Sequence, residues 1–325
     1  MEYTRLGTSG LKVSRICLGC MSFGEANVRN WTLDASAAEP LFRKALELGI
    51  TFWDTANVYG AGTSEEITGQ AIKAYTRRED VVLATKLHGR MGDGPGGQGL
   101  SRRAVMEQVD ASLKRLDTDY IDLYQIHRFD PETPVEETME ALHDVIKAGK
   151  VRYIGASSMY AWQFAIMQHA ADIGGWTRFI SMQDQYSLIM REEEREMFPL
   201  LDHQGVESIP WSPLGGGRVA RPWGDTSTSR GSTNPETDPK GRPLVIDSDK
   251  AIVDAVQAIA ESRGVSMATI GLAWVLTNPV VAAPIVGATK EKHITDAVAA
   301  LDVDLTVDEL VRLEEPYEHR EPTYF

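Results

Sequence analysis

The sequence predicts an α/β fold, a closed (β/α)8 barrel of the TIM-barrel type, formed by residues 1–325 as one domain. Three observations predict it. Short apolar runs alternate with longer stretches of 3.6-residue periodicity almost to the C-terminus, the runs number eight, and the series is unbroken. The alternative is an open doubly wound sheet, which should carry G-x-G-x-x-G in its first strand-to-helix turn. That turn here is Gly19-Cys20-Met21-Ser22-Phe23-Gly24 and lacks the motif. The spacing does occur at Gly92, Gly94 and Gly97, but it lies past the third strand with Pro95 inside it, so it reads as a flexible loop.

Taken in order, the chain opens with turn signals at Gly7 and Gly10, followed by strand-like runs at 15–18, 51–54, 81–86, 121–126, 151–156, 180–183, 206–210 and 282–286. Helical periodicity fills the intervals, as at 35–48, 102–116, 135–148 and 252–263. Thr133-Pro134-Val135-Glu136 predicts an N-cap, Pro at the first helical position and a capping-box Glu; Thr63 with Glu66 repeats the box spacing. Gly49 and Gly149 stand where helices should end in a left-handed residue. Segment 215–247, rich in Gly, Pro, Ser, Thr and Arg, exceeds the length of ordinary connections and reads as a lid. The tail from Leu301 has a short polar helix pattern, then Pro316, Tyr317, Pro322, Tyr324 and Phe325, which wall a pocket or fold over the barrel.

A hydrophobic content of 42% with 25% charged residues suits a globular chain with a large core. The net charge of -14 argues against nucleic-acid or membrane partners. It also means that an anionic cofactor needs a local basic pocket. With no apolar leader pattern in the first residues and no run of eighteen apolar residues, a cytoplasmic location is expected. Cys17 and Cys20 form a lone C-x-x-C without a second pair, so they read as small hydrophobes at a strand end, and no metal is expected.

Asp54, Tyr59, Lys86 and His127 fall at or just past the C-terminal ends of the second, third and fourth predicted strands, which converge on one face of a barrel. Singly, each has a bland reading: a buried cap, a rim aromatic, a surface lysine, a core imidazole. Together they make one device. Reduction of a carbonyl needs a proton on oxygen as hydride reaches carbon, and a phenol with an ordinary pKa of about 10 donates poorly at neutral pH. An ammonium beside the phenol favours the phenolate, a carboxylate keeps that ammonium charged, and an imidazole orients the carbonyl by hydrogen bonding. A strand-end lysine can also serve as a Schiff-base nucleophile, but an Asp54 partner that keeps Lys86 protonated argues against it.

The runs Asp54-Thr-Ala-Asn-Val-Tyr59-Gly60 with Ser64-Glu65-Glu66, then Ala84-Thr85-Lys86, then Asp122-Leu-Tyr-Gln-Ile-His127 resemble the aldo-keto reductase family, over essentially the whole chain from Arg5-Leu6-Gly7 to Gly287-Ala288-Thr289. The likeness is nearest to the bacterial members close to the potassium-channel β subunits. It implies a (β/α)8 barrel whose opening hairpin closes the bottom, and an NADP-dependent oxidoreductase that reduces aldehydes or ketones to alcohols. Relatives that serve channels use the same fold as an accessory subunit, but no docking extension is evident here.

By that resemblance Tyr59 is the general acid, assisted by Lys86, Asp54 and His127. Ser157, Ser158 and Gln183 match the positions that hold the nicotinamide carboxamide, Ser158 standing where the family often has Asn. Trp211 matches the aromatic that stacks on the nicotinamide, Ser212, Pro213, Leu214 and Gly215 the turn along the pyrophosphate, and Arg218 reaches the cofactor from the loop. Gly287, Thr289, Lys290, Lys292 and His293 match the adenosine 2′-phosphate site and supply the positive charge the acidic surface lacks. NADPH is therefore expected as cofactor ahead of NADH, with a small-molecule carbonyl as substrate. Candidate pocket walls are Met21, Phe23, Trp31, Leu87, His88, Arg128, Phe129 and the lid. Arg128 serves either an anionic substrate or a rim salt bridge.

Overall fold

The computed structural model describes residues 1–25, 30–228 and 231–324. An antiparallel hairpin, β1 (Tyr3–Arg5) and β2 (Lys12–Ser14), precedes β3 (Cys17–Gly19), β4 (Phe52–Asp54), β5 (Val82–Leu87), β6 (Ile121–Ile126), β7 (Val151–Ser157), β8 (Ser181–Gln183), β9 (Glu207–Ser208) and β10 (Ile285–Gly287). Among the described residues these last eight strands form one parallel sheet in the order β10-β3-β4-β5-β6-β7-β8-β9. The segment entering β10 closes it: Ser208 N donates to Val280 O, Ala282 N to Ser208 O and Ile285 N to Pro210 O, each at 2.8 Å. The ring is the predicted (β/α)8 barrel; a doubly wound sheet would have reversed its strand order and left two open edges.

Around it pack α1 (Ala35–Glu47), α2 (Thr63–Tyr75), α3 (Arg102–Leu116), α4 (Val135–Lys147), α5 (Ala161–Gly174), α6 (Met197–Gln204), α7 (Asp249–Arg263), α8 (Met267–Thr277), α9 (Glu291–Ala299) and α10 (Val307–Glu314). In α1 the Asp34 carboxylate caps Ala37 N, and Ala38, Leu41, Phe42 and Ala45 are buried at helical spacing against the sheet. Gly49 and Gly149 end α1 and α4 at φ +79° and +78°, as predicted. Two capping expectations fail. Thr133 gives its hydroxyl to Asp130 Oδ2 (2.8 Å), and Pro134, not Thr133, occupies the N-cap of α4. Thr63 is itself helical and donates to Gly60 O (2.8 Å), because the chain enters α2 through a left-handed turn, Gly60, Ala61 and Gly62 at φ +56°, +55° and +103°.

The lower barrel interior is filled by Cys17, Phe52, Ala84, Leu123 and Ile209, with Leu6 and Val13 of the hairpin region packed beneath them. Thr8 N donates to Gly205 O (2.9 Å) and Gly7 N to Glu207 Oε2 (2.8 Å), pinning the hairpin across that end. The opposite, upper end of the barrel carries the buried polar groups Asp54, Lys86 and Gln125. Both cysteines are free and fully buried, and burial pushes Cys17 well above and Cys20 up to about 12, so neither forms a thiolate readily. No helix among the described residues is long and apolar enough to cross a membrane.

Segment 215–247, of which 229–230 lie outside the described residues, is tied down at several points. Arg218 donates to Gly215 O (3.2 Å) and Pro235 O (2.7 Å), and Asn234 Nδ2 to Gly216 O (3.2 Å). The tail crosses the same face: Tyr317 OH donates to Glu192 Oε1 (2.9 Å), Arg320 pairs with Asp249 (2.5 Å), Thr323 Oγ1 donates to Gln185 Oε1 (2.7 Å), and Tyr324 N to Asp238 Oδ2 (3.0 Å). Phe325 lies outside the described residues.

Beside Gln185 and Glu192, which the tail contacts, the carboxyl groups of Asp184 and Glu193 are buried. Ser208 Oγ donates to Asp184 Oδ1 (2.6 Å), while Asp184 Oδ2 has no partner among the described residues. Burial pushes Asp184 up to about 7, and burial, Asp184 and Glu192 together raise Glu193 well above the carboxylate range. A carboxyl whose folded pKa lies above its unfolded value costs stability as pH rises from the unfolded toward the folded pKa. Asp184→Asn, which keeps the acceptor for Ser208, is therefore expected to raise Tm relative to the parent chain, by a margin that widens from about pH 4 to about pH 7 and then levels off. A margin independent of pH in thermal melts would contradict it.

Candidate active site

Period-2 alternation along the strands carries the lower packing layer into an upper polar layer. Phe52 is followed on the inner face by Asp54, Ala84 by Lys86, and Leu123 by Gln125 and then His127. Asp54, Lys86, Gln125 and His127 thus enter the upper end of the interior from three consecutive strands. Lys86 is fully buried and spends its three N–H bonds on Asp54 Oδ1 (2.5 Å), Thr55 O (2.8 Å) and Tyr59 OH (3.3 Å). Burial alone would lower Lys86, but the charge of Asp54, then Tyr59, holds its ammonium above the ordinary lysine value.

Because an ammonium only donates, the Tyr59 oxygen accepts from it and the phenolic proton points elsewhere. Tyr59 is half-buried, presented by the left-handed turn that follows it; at Gly60 a Cβ would lie 2.3 Å from Thr63 Oγ1. The His127 ring stands edge-on to Tyr59, centroids 5.7 Å apart. Burial, then Lys86, Arg128 and His88, hold His127 well below the usual imidazole range, so near neutrality it carries one N–H and one lone pair.

Next to these groups, Ser157 Oγ donates to Gln183 O (2.8 Å), Trp211 Nε1 to Ser158 Oγ (3.0 Å) and Trp211 N to Asp184 O (2.8 Å), so the half-buried Trp211 is held once through its indole and once through its backbone. Ser158 and Ser212 adopt left-handed backbone at φ +46° and +50°, unusual for residues with a Cβ and concentrated here. The Tyr324 ring meets Trp211 edge-on at 5.4 Å, so the C-terminal tail walls this region.

The sequence model of the Aldo/keto reductase family matches residues 15–318. The chain belongs to this family. It is 48% identical over 335 residues to the versiconal hemiacetal acetate reductase of Aspergillus parasiticus, covering 98% of this chain and 97% of the relative. Aldo-keto reductase AFTS1 of Alternaria alternata is 42% identical over 339 residues (97% and 91% covered), and the putative aryl-alcohol dehydrogenase AAD16 of Saccharomyces cerevisiae 39% over 340 (98% and 97%). The narrower likeness to bacterial members near the channel β subunits finds no support in these relatives, which are fungal. Aldo/keto reductases are oxidoreductases that use a nicotinamide cofactor, usually NADPH.

Around the centre of this aldo/keto reductase, the remaining expected residues divide. Gly287, at the end of β10, and Lys290, at the N-cap of α9, are exposed, and Lys290 makes no ion pair among the described residues. Lys292 instead turns along α9 to Asp296 (2.7 Å), and Thr289 N donates to His293 Nδ1 (3.3 Å). Arg218 serves the loop carbonyls. Among the pocket walls, Phe23 and Leu87 are fully buried in the core, Phe23 with its ring 4.8 Å from Phe42, so they line nothing. Met21, Trp31, His88, Arg128 and Phe129 are half-buried, and Arg128 donates back to His127 O (2.6 Å).

Sequence reasoning missed Gln125 and the carbonyl of Thr55. The signal for Gln125 was present, since an uncharged amide sits in strand Ile121–Ile126 at the same parity as His127.

Proposed function

We propose that the chain works as one barrel domain that reduces aldehydes or ketones to alcohols with NADPH, with Tyr59 as general acid. The observation that carries this reading is the Lys86 ammonium, held charged by Asp54 and donating to the Tyr59 oxygen. NADPH when bound supplies the hydride. Tyr59 gives its proton to the carbonyl oxygen, Lys86 stabilises the negative charge left on the phenol, and neutral His127 donates a hydrogen bond that aligns the carbonyl.

The residues present fit the cofactor. Ser157, Ser158 and Gln183 supply polar groups for the carboxamide, and the fixed Trp211 indole offers a flat surface to the ring. Ser212, Pro213, Leu214 and Gly215 would run along the pyrophosphate with Arg218 above them. Gly287, Thr289, Lys290, Lys292 and His293 would meet the 2′-phosphate at the start of α9, where a helix N-terminus favours an anion. Because Lys292 is already engaged by Asp296, Lys290→Ala is expected to raise KM for NADPH several-fold more than Lys292→Ala does, and to leave KM for NADH nearly unchanged. Equal losses for both cofactors would reject the 2′-phosphate assignment.

Aromatic carbonyls are the favoured substrates. Phe129, two residues past His127, packs on Trp162 (centroids 6.1 Å apart), which with Tyr160 is exposed at the same end of the barrel. A name among the relatives, aryl-alcohol dehydrogenase, agrees in chemistry. A screen of NADPH oxidation should show aromatic aldehydes turned over with kcat/KM at least about tenfold above short aliphatic ones, the effect of one modest apolar contact difference. No oxidation of NADPH with any carbonyl would reject the function itself.

A further inference from the structure

Gln125 is fully buried and touches both the proton-transfer group and the proposed cofactor site. Asp54 Oδ2 accepts from Gln125 Nε2 and from Gln183 Nε2, each at 2.9 Å, and Gln125 Oε1 accepts from Gln183 Nε2 at 3.2 Å. The carboxylate is ion-paired with Lys86 and so is an acceptor only. Both amides must therefore turn their NH2 groups toward it. A flip of either would set a carbonyl oxygen against a buried carboxylate oxygen, at the cost of a charge-assisted hydrogen bond in a water-poor interior. With its N–H bonds spent on Asp54 and Gln125, Gln183 has only Oε1 to offer a ligand, and that atom has no partner among the described residues.

We propose that Gln125 is a positioning residue that locks Gln183 with its carbonyl oxygen toward the nicotinamide carboxamide. It ties the ring's orientation to the ionised state of Asp54. The amide selects the NH2 end of the carboxamide, and Asp54, which holds Lys86 charged, also holds the amide pair. This inference rests on the proposed use of a nicotinamide cofactor and deepens it.

The test is equilibrium binding, followed by quenching of tryptophan fluorescence, of NADP+ and of 2′-phospho-ADP-ribose, which lacks only the nicotinamide. Gln125→Met is expected to weaken NADP+ roughly tenfold, the value of one net hydrogen bond at the upper end of its range, and to leave 2′-phospho-ADP-ribose unchanged. Equal weakening of both ligands, or no weakening of either, overturns the proposal. Should that variant not fold, Gln125→Glu decides: to face Asp54 its carboxyl must carry a proton, so the preference for NADP+ over 2′-phospho-ADP-ribose should fall as pH rises from 5.5 to 8. A preference as insensitive to pH as that of the parent chain overturns it. If the parent chain itself binds no NADP+ and oxidises no NADPH, the functional reading fails instead.

Discussion

Tyr59→Phe is expected to bind NADPH as the parent chain does and to lower kcat for carbonyl reduction by about 10²- to 10⁴-fold, the usual contribution of a positioned general acid. The substitution removes one oxygen and keeps the ring, so the edge-on contact with His127 at 5.7 Å survives. Lys86 keeps Asp54 Oδ1 and Thr55 O, the shorter of its contacts, so the polar layer should hold its arrangement. What disappears is the proton donor. His127 does not replace it, because burial and the neighbouring cations Lys86 and Arg128 hold the imidazole neutral, able to orient a carbonyl but a poor source of a proton. The two measurements are fluorescence titration with NADPH and initial rates with an aromatic aldehyde. A variant that binds normally and reduces at the parent rate would remove Tyr59 from the mechanism, whereas one that loses binding would place Tyr59 among the cofactor contacts.

Much of this centre was legible because a barrel turns sequence order into spatial order. Once eight strands are counted, residues such as Asp54, Lys86 and His127 at consecutive strand ends must become neighbours. Lys86 reaches Asp54 across only one strand pair, so the pattern of 54 and 86 carried the contact. Details that depend on local backbone were less readable. The turn after Tyr59 runs through three left-handed residues including Ala61, so the capping-box spacing of Thr63 and Glu66 was satisfied in sequence and defeated in space. Likewise Lys292 is one helical turn from Asp296, an arrangement that competes with any phosphate for the same ammonium. Gln125 escaped attention for a different reason: its partners, Asp54 and Gln183, lie 71 and 58 residues away, and a buried amide has no conspicuous charge.

The ion pair at the centre should be as expensive to break as it is necessary to catalysis. Lys86→Met leaves the Asp54 carboxylate buried with two amide donors and no counter-charge, and Asp54→Asn leaves a fully buried ammonium without its carboxylate. Losing one partner of a buried pair typically costs about 3–5 kcal/mol, more than the pair itself contributes, because the survivor remains desolvated. The double variant removes both charges, so its loss of stability should fall short of the sum of the single losses by about 0.5–3 kcal/mol, the range found for directly coupled residues. Urea unfolding of the four proteins measures this, and strict additivity would show that the two charges do not sense each other. Catalysis should not follow stability back. With Lys86 gone, the Tyr59 oxygen loses the ammonium that donates to it as it takes up negative charge, so the double variant should fold better than the single losses imply and still reduce carbonyls at least about 10²-fold more slowly than the parent. Restored turnover in the double variant would mean that the ammonium serves only the fold, and proton transfer from Tyr59 would then need another source of electrostatic support.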